Sequence, residues 1–453
     1  MKRLYLFLFC ISAAALAQES RISVPYTRFT LPDGLEVILH EDHTTPTVNV
    51  DMWYHVGSAR EKPGRTGFAH LFEHLMFMGS GHVPIGKFDQ WLEAAGGENN
   101  ASTTADRTNY WESVPSNAIE LPLFLESDRL GHLLDSMTAA KVDAQRDVVK
   151  NERRESYENR PYGMAEIAIL ENLYPPDHPY HWPTIGSMED LSAASYQDVV
   201  DFFRKYYIPN NASLVIAGDI DLAKTRSIVT KWFSDVPSGP AVPPQATPAA
   251  FLDREKLVVL EDTVQLPRLY MCWLTPRKFA PGDAELDMLA NILAGGMNSR
   301  LYKRLVYDLQ IGQDVSAFQN SGALASSFQI IVTARSGHTL AEMETVIQEE
   351  IDRLKNAPPT RRELKRAVNQ YEAAYLSRLE TVGGKADMLN AYFVATGNPD
   401  YFNEDLARYR AFDPMALTAA AQTYLRDDAR LILSVVPTGK RALAVSRGKE
   451  GGR

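Results

Sequence analysis

His70-Leu71-Phe72-Glu73-His74 is the most informative stretch of this 453-residue chain. On a helix, residues four apart share a face, so the imidazoles of His70 and His74 can converge on one metal ion. Glu73 precedes His74 and can reach a water on that metal. A catalytic zinc site needs such imidazoles, an open coordination position and a carboxylate that accepts the water's proton. The alternative is two surface histidines near a glutamate.

The residues around this stretch predict a helix that is largely buried. Phe68, Leu71, Phe72, Leu75 and Met76 recur at helical spacing. Burying two imidazoles and a carboxylate without a partner would be costly, and a metal ion would supply that partner. Catalytic zinc usually has three protein ligands, so a third ligand should come from elsewhere in the chain.

Glu152 is the best candidate for the third ligand. It lies in the charged segment 148–155, which we expect to begin a second helical stretch. A glutamate in such a run would ordinarily be a solvated surface residue, and Glu155 and Glu158 are nearby rivals.

The pentad is the inverted zinc-peptidase motif H-x-x-E-H. The chain resembles the inverzincin peptidases (pitrilysin, insulin-degrading enzyme and the mitochondrial processing peptidase), most closely the two-domain bacterial and processing-peptidase-like members. In that family a ligand glutamate follows the second histidine at about the distance found here, where Glu152 lies 78 residues beyond His74. Further family-like segments fall within residues 25–437: 31–35, 97–103, 106–110, 178–180, 185–186 and 207–212.

The resemblance implies an α+β fold of two similar domains, each a mostly antiparallel sheet covered by helices on one face. It implies one Zn²⁺ per chain held by His70, His74 and Glu152, with Glu73 as general base on zinc-bound water. The implied activity is a zinc metalloendopeptidase that hydrolyses peptides or unfolded segments in a chamber between two halves. The substrate would bind along an edge strand formed by Asn100, Ala101, Ser102 and Thr103; the alternative there is an Asn-rich turn.

The sequence also predicts a division into two halves. Residues 234–250 are rich in proline and have no apolar period, which is typical of a linker. Strand-like segments 34–39 and 48–54 before the linker are echoed by 256–260 and 268–274 after it, and the strand-like segments 213–218 and 430–435 close the two halves. The counterpart of the pentad helix, 284–296, contains no histidine. We therefore expect a signal peptide at 1–17, a zinc-binding domain at 18–233, a homologous domain without zinc at 251–437 and a basic flexible tail at 438–453.

The N-terminus predicts export. Lys2 and Arg3 precede an apolar run that ends in the small-residue pattern Ala15-Leu16-Ala17. Cleavage would leave a mature chain beginning at Gln18, in the periplasm or cell envelope and without a stable membrane span; the alternative is a retained anchor. The net charge of −10 argues against a nucleic-acid partner.

The chain departs from the family pattern in two places. Gln145 stands where relatives often have a glutamate. Val306 and Gln313 stand where many relatives carry an Arg/Tyr pair that contacts the substrate carbonyl, and valine cannot donate hydrogen bonds to an oxyanion. This favours a heterodimer with a homologous subunit that supplies the pair, in preference to a homodimer. The alternatives are a shifted register or a substitute donor such as Arg304.

Two other functions are consistent with parts of the sequence. The first is a non-catalytic peptide-binding or scaffolding subunit with a vestigial zinc site, which the intact pentad disfavours. The second is a small-molecule zinc lyase with a cysteine in its site. Cys272, in an apolar strand-like segment, gives that reading little support.

Overall fold

Two sheets organise residues 21–447, which are the residues described by the computed structural model. The first sheet has the order β1-β2-β6-β3-β5-β4 and is antiparallel except where β2 and β6 pair in parallel. Its strands are β1 Thr27–Thr30, β2 Glu36–Glu41, β3 Thr47–Tyr54, β4 Glu98–Thr103, β5 Thr108–Pro115 and β6 Ala212–Gly218. The predicted signal peptide lies outside the described residues.

The second sheet repeats this design without the first strand. Its order is β7-β11-β8-β10-β9, which corresponds strand for strand to β2-β6-β3-β5-β4, and again only its first pair is parallel. The strands are β7 Lys256–Asp262, β8 Arg268–Thr275, β9 Gly312–Asn320, β10 Ser326–Ala334 and β11 Leu431–Pro437. The prediction of two similar α+β domains is confirmed.

Helices fill the connections between these strands. In the first half they are α1 Phe68–Leu75, α2 Lys87–Ala94, α3 Glu120–Ser136, α4 Ala139–Arg153, α5 Ala165–Leu173, α6 Met188–Ala193, α7 Tyr196–Tyr206 and α8 Leu222–Phe233. In the second half they are α9 Asp283–Ala294, α10 Leu340–Asn356, α11 Arg361–Arg378, α12 Val382–Thr396, α13 Phe402–Arg410 and α14 Pro414–Tyr424. Short π-helical turns follow at Arg154–Glu158 and Tyr302–Asp308.

One helix of each half packs on the sheet of the other half. In the first half's α5, Ile169 and Leu173 share an apolar cluster with Cys272 and Leu433 of the second sheet. In the second half's α12, Asn390 donates a hydrogen bond to the backbone oxygen of Asp51 in β3 (3.1 Å). The expectation of helices on one face only was therefore incomplete, because the second face of each sheet is covered by the other half.

Of the two segments expected to lack regular structure, the linker 234–250 does so, whereas the described part of the tail packs on the second half. No helix or strand lies between α8 and β7, in the proline-rich region. Residues 438–447, expected to belong to a flexible tail, instead pack on the second half. Val445 is buried and its backbone N–H donates to Ser434, while Arg447 pairs with Glu255 and Glu344. Residues 448–453 lie outside the described part of the chain.

Candidate metal centre

The helix that carries the pentad starts at a rigid turn. Gly67 precedes α1 with φ +87°, and a Cβ there would lie 2.8 Å from the backbone oxygen of Ile185, so only glycine fits this turn. The buried carboxylate of Glu61 accepts hydrogen bonds from the backbone N–H groups of Gly67 (2.9 Å) and Ala69 (2.7 Å). It thereby satisfies helix N-terminal donors that would otherwise have no partner. The sequence analysis did not identify this role of Glu61.

The two faces of α1 have different environments. One face lies in the core of the first half and consists of Phe68, Leu71, Phe72 and Leu75. Phe72 stacks on Tyr207, with ring centroids 5.0 Å apart. The other face presents His70, Glu73 and His74, which are only partly buried. Core packing therefore fixes which way the three polar side chains point.

His70, His74 and Glu152 meet in space. The Nε2 of His74 lies 3.2 Å from Oε2 of Glu152, and the Nε2 of His70 lies 3.6 Å from Oε1. The two rings are 4.8 Å apart at an interplanar angle of 80°. The structure thus brings the three predicted ligands together, across 78 residues of chain.

This donor set fits a tetrahedral zinc ion. Zinc–nitrogen and zinc–oxygen bonds of about 2.0–2.2 Å place neighbouring ligands roughly 3.3–3.5 Å apart at the tetrahedral angle. The observed nitrogen–oxygen separations of 3.2 and 3.6 Å bracket that spacing. Burial lowers the pKa of His70, which favours the neutral imidazole that metals bind. Its Nδ1 is buried without a hydrogen-bond partner among the described residues.

Glu152 reaches the histidines from the end of α4. This helix starts at Ala139, where Thr138 caps it, so Glu152 lies in its last turn and does not begin a helix as expected. The rival Glu158 pairs with Arg153, and the rival Glu155 is exposed. Only Glu152 joins the histidine cluster.

Glu73 is held by the edge strand next to it. The Thr103 hydroxyl donates a 2.5 Å hydrogen bond to Oε2 of Glu73. The predicted substrate segment 100–103 lies in β4, which is one of the two edge strands of the first sheet. Arg107 stabilises this edge by donating to the carbonyl of Ser102 (2.8 Å) and by lying over the ring of Trp53.

A cavity of about 610 Å³ opens beside the cluster, between the two halves. Its first-half wall includes His70, Thr103, Glu152, Tyr157, Arg160 and Tyr162. Its second-half wall includes Arg268, Tyr270, Phe318, Asn320, Gln329 and Ile331. Sequence reasoning assigned no site role to the second-half residues, because nothing local marks a strand residue that faces another domain.

The residues at which the chain departs from the family pattern do not line this cavity; they are Gln145, Val306 and Gln313. Gln145 donates to the sulfur of Met78 (2.9 Å). Val306 packs against the second core, and Gln313 is exposed near the start of β9. Arg304, the alternative donor, pairs with Glu349 and Glu350 and lines a different pocket.

Comparisons with known proteins agree with this geometry. Residues 36–175 match the model for "Insulinase (Peptidase family M16)", and residues 193–371 match "Peptidase M16 inactive domain". Together the two matched regions cover more than half of the chain. Within residues 21–447, no helix has the length and apolar character that crossing a bilayer requires.

Among curated proteins, the zinc protease PqqE of Helicobacter pylori is 28% identical over 372 residues, covering 81% of this chain and 82% of that protein. A solved structure of a protease from Helicobacter pylori superposes with a TM-score of 0.87 at 25% identity, covering 91% of this chain and 100% of that one. The periplasmic protease PqqL of Escherichia coli shares the fold, with a TM-score of 0.77 at 18% identity, covering 94% of this chain and 49% of PqqL. The chain therefore belongs to the M16 family of peptidases, the family of insulinase.

Proposed function

We propose that this chain is a zinc metalloendopeptidase that cleaves peptides or unfolded segments in the cavity between its halves. The observation that carries the proposal is the convergence of His70, His74 and Glu152 at zinc-ligand spacing, with Glu73 on the same helix face. The relationship to proteins named zinc proteases supports it.

In this mechanism His70, His74 and Glu152 would hold one zinc ion. Bound zinc supplies Lewis-acid polarisation of the scissile carbonyl and makes water a stronger acid. Glu73, oriented by Thr103, accepts the proton of the attacking water and passes it to the leaving amine. The unpaired side of β4 offers main-chain groups to an extended peptide without demanding a particular sequence.

The test is a set of glutamate variants assayed for zinc content and peptide hydrolysis. Glu73→Gln should keep zinc but lose about 10²–10⁴-fold in rate, because a general base is removed. Glu152→Gln should lose zinc as well. Glu155→Gln, a nearby exposed glutamate, is the matched control and should retain both. Near-full activity in Glu73→Gln would refute the assigned base. A wild-type chain that binds zinc and peptide but never cleaves, in any assembly, would favour the non-catalytic alternative.

The enzyme is further proposed to work as the zinc subunit of a heterodimer. The chain has Val306 and Gln313 at the positions where the resemblance implies an Arg/Tyr pair. The fold match to about half of PqqL supports a molecule built from two such units. A homologous partner without the H-x-x-E-H motif would supply the pair.

Reconstitution tests this pairing. Loss of an oxyanion donor costs about 10²–10³-fold in turnover, so the lone chain should bind zinc yet cleave slowly until the partner is added. A lone chain that cleaves at full rate as a monomer or homodimer would exclude the heterodimer. Arg160 or Arg268, which line the cavity, would then be the donors to examine.

Export to the periplasm or cell envelope is proposed from the N-terminal sequence and is consistent with the periplasmic location stated for PqqL. Mass spectrometry of the envelope-fraction protein should find Gln18 at the N-terminus. Retention of Lys2 and Arg3 would indicate an anchored form instead.

A further inference from the structure

A second pair of histidines lies on the surface of the first half. His82 belongs to the loop between α1 and α2, and His132 lies on α3, one turn after Asp128. A nitrogen from each ring and a carboxylate oxygen of Asp128 lie within 4.8 Å of one another. These residues are separate from His70, His74 and Glu152, and the mechanism above does not use them.

The two imidazoles are arranged like those of the first centre. The rings of His82 and His132 are 5.0 Å apart at an interplanar angle of 83°, compared with 4.8 Å and 80° for His70 and His74. With one nitrogen of each ring within 4.8 Å of the other, the pair is close enough for both imidazoles to approach one ion.

A carboxylate contacts the Nδ1 atom of each ring. The Nδ1 of His82 lies 2.5 Å from Oδ1 of Asp128, and the Nδ1 of His132 lies 2.9 Å from Oδ2 of Asp135. A proton held on Nδ1 leaves the Nε2 lone pair of a neutral imidazole available to a cation, an arrangement found around most metal-bound histidines.

Asp128 is buried and fixed in place by several hydrogen bonds. Its side chain is only 3% exposed, and besides the His82 ring it accepts hydrogen bonds from the Ser80 hydroxyl and the His82 backbone N–H. The loop is therefore fixed to α3 before any ion binds. The His82 and His132 side chains are 64% and 48% exposed, so an ion can reach them from solvent.

We propose that His82 and His132, oriented by Asp128 and Asp135, form a second binding site for a divalent cation of the zinc class. Imidazole nitrogen selects zinc, copper and nickel over magnesium and calcium, which prefer oxygen. Asp235 lines the same cleft of about 340 Å³ and adds negative charge. The bound cation would clamp the loop that follows α1 to α3. This site stands independently of the proposed peptidase function.

Equilibrium dialysis against Zn²⁺ with elemental analysis tests the site in the full mature chain. Wild type should reach two zinc ions per chain, with the exposed second site filling after the first. His132→Asn should reach one and keep its peptidase rate. The matched control is His338→Asn, which removes a histidine that has a carboxylate partner, Glu342, but belongs to neither histidine pair; it should still reach two.

Removing the first centre separates the two proposals. His74→Ala should retain one zinc, and His74→Ala combined with His132→Asn should retain none. If wild type saturates at one zinc and His74→Ala binds none, the second site is refuted while the peptidase proposal stands. If instead His132→Asn abolishes all binding, the assigned catalytic centre fails.

Thermal unfolding controls for misfolding. Without zinc, His132→Asn should melt as wild type does, and the rise in melting temperature beyond one zinc equivalent should be lost. His82→Asn should give the same result if His132→Asn folds poorly. A rise that persists in both variants would overturn the site.

Discussion

At the scale of the residue, Thr103 is the side chain that orients the proposed base. Its hydroxyl donates a hydrogen bond to Glu73 of α1, and Thr103 is the last residue of β4, so it links the edge strand to the helix that carries the histidines. Thr103→Val keeps the shape and removes the donor. We expect kcat to fall about 10–100-fold, as for other groups that orient catalytic residues, with little change in KM.

Zinc content and a conservative variant distinguish orientation from a general structural defect. Thr103→Ser retains the hydroxyl and should recover most of the rate, while all three proteins should bind equal zinc. A Thr103→Val enzyme with unchanged kcat would show that Glu73 needs no such support.

At the scale of the element, the contact between β3 and α12 buries a carboxyl group. Asp51 accepts a hydrogen bond from Asn109 (3.1 Å), and α12 covers it from the other half. Burial, and then the negative charge of Asp387, raises the pKa of Asp51 from 3.8 to about 7. At a pH between 3.8 and about 7, Asp51 holds a proton in the folded state but has released it in the unfolded state. The free energy of unfolding therefore falls as pH rises from about 4 to about 7.

Asp51→Asn tests this dependence because asparagine cannot ionise. Denaturant unfolding at pH 4 and pH 7 should show a smaller loss of stability in the variant, by on the order of 2–4 kcal/mol. The pKa values of Glu61 and Asp287 are also raised by burial, so the readout is the difference between variant and wild type. Asp147→Asn, on the exposed side of α4, should match wild type, and equal slopes in all three proteins would contradict the prediction.

At the scale of the whole molecule, Cys272 reports on the contact between the halves. The thiol is fully buried in the cluster shared by α5 and the second sheet, and burial raises its pKa. A mature chain beginning at Gln18 should therefore resist thiol reagents. Leu173→Ala removes buried surface from α5, at a cost of about 2–5 kcal/mol, and should speed labelling by loosening this contact.

Leu133→Ala is the matched control, because Leu133 is equally buried but lies in the core of the first half. Labelling should be measured by mass spectrometry well below the melting temperature. Equal acceleration by both variants would mean that the thiol reacts through global unfolding, and that the halves do not open locally.

The sequence by itself determined the local parts of this protein. The helical period placed His70, Glu73 and His74 on one face of α1, since that spacing depends only on residues within one turn. Alternating and continuous apolar runs located strands such as β3 and β6 to within one residue at either end. The repeated order of these signals gave two similar halves.

Only the tertiary structure decided which distant groups meet. Three features depend on how helices pack across the sheets, which no local period encodes. They are the position of Glu152, and not Glu155 or Glu158, beside the histidines, the helix cap formed by Glu61, and the cavity wall that contains Arg268. The packing of α5 and α12 on the sheet of the opposite half also depends on the tertiary structure. An apolar helix face shows that it must be buried, but not against which sheet, because burial is non-directional and the partner is set by the packing of the whole chain.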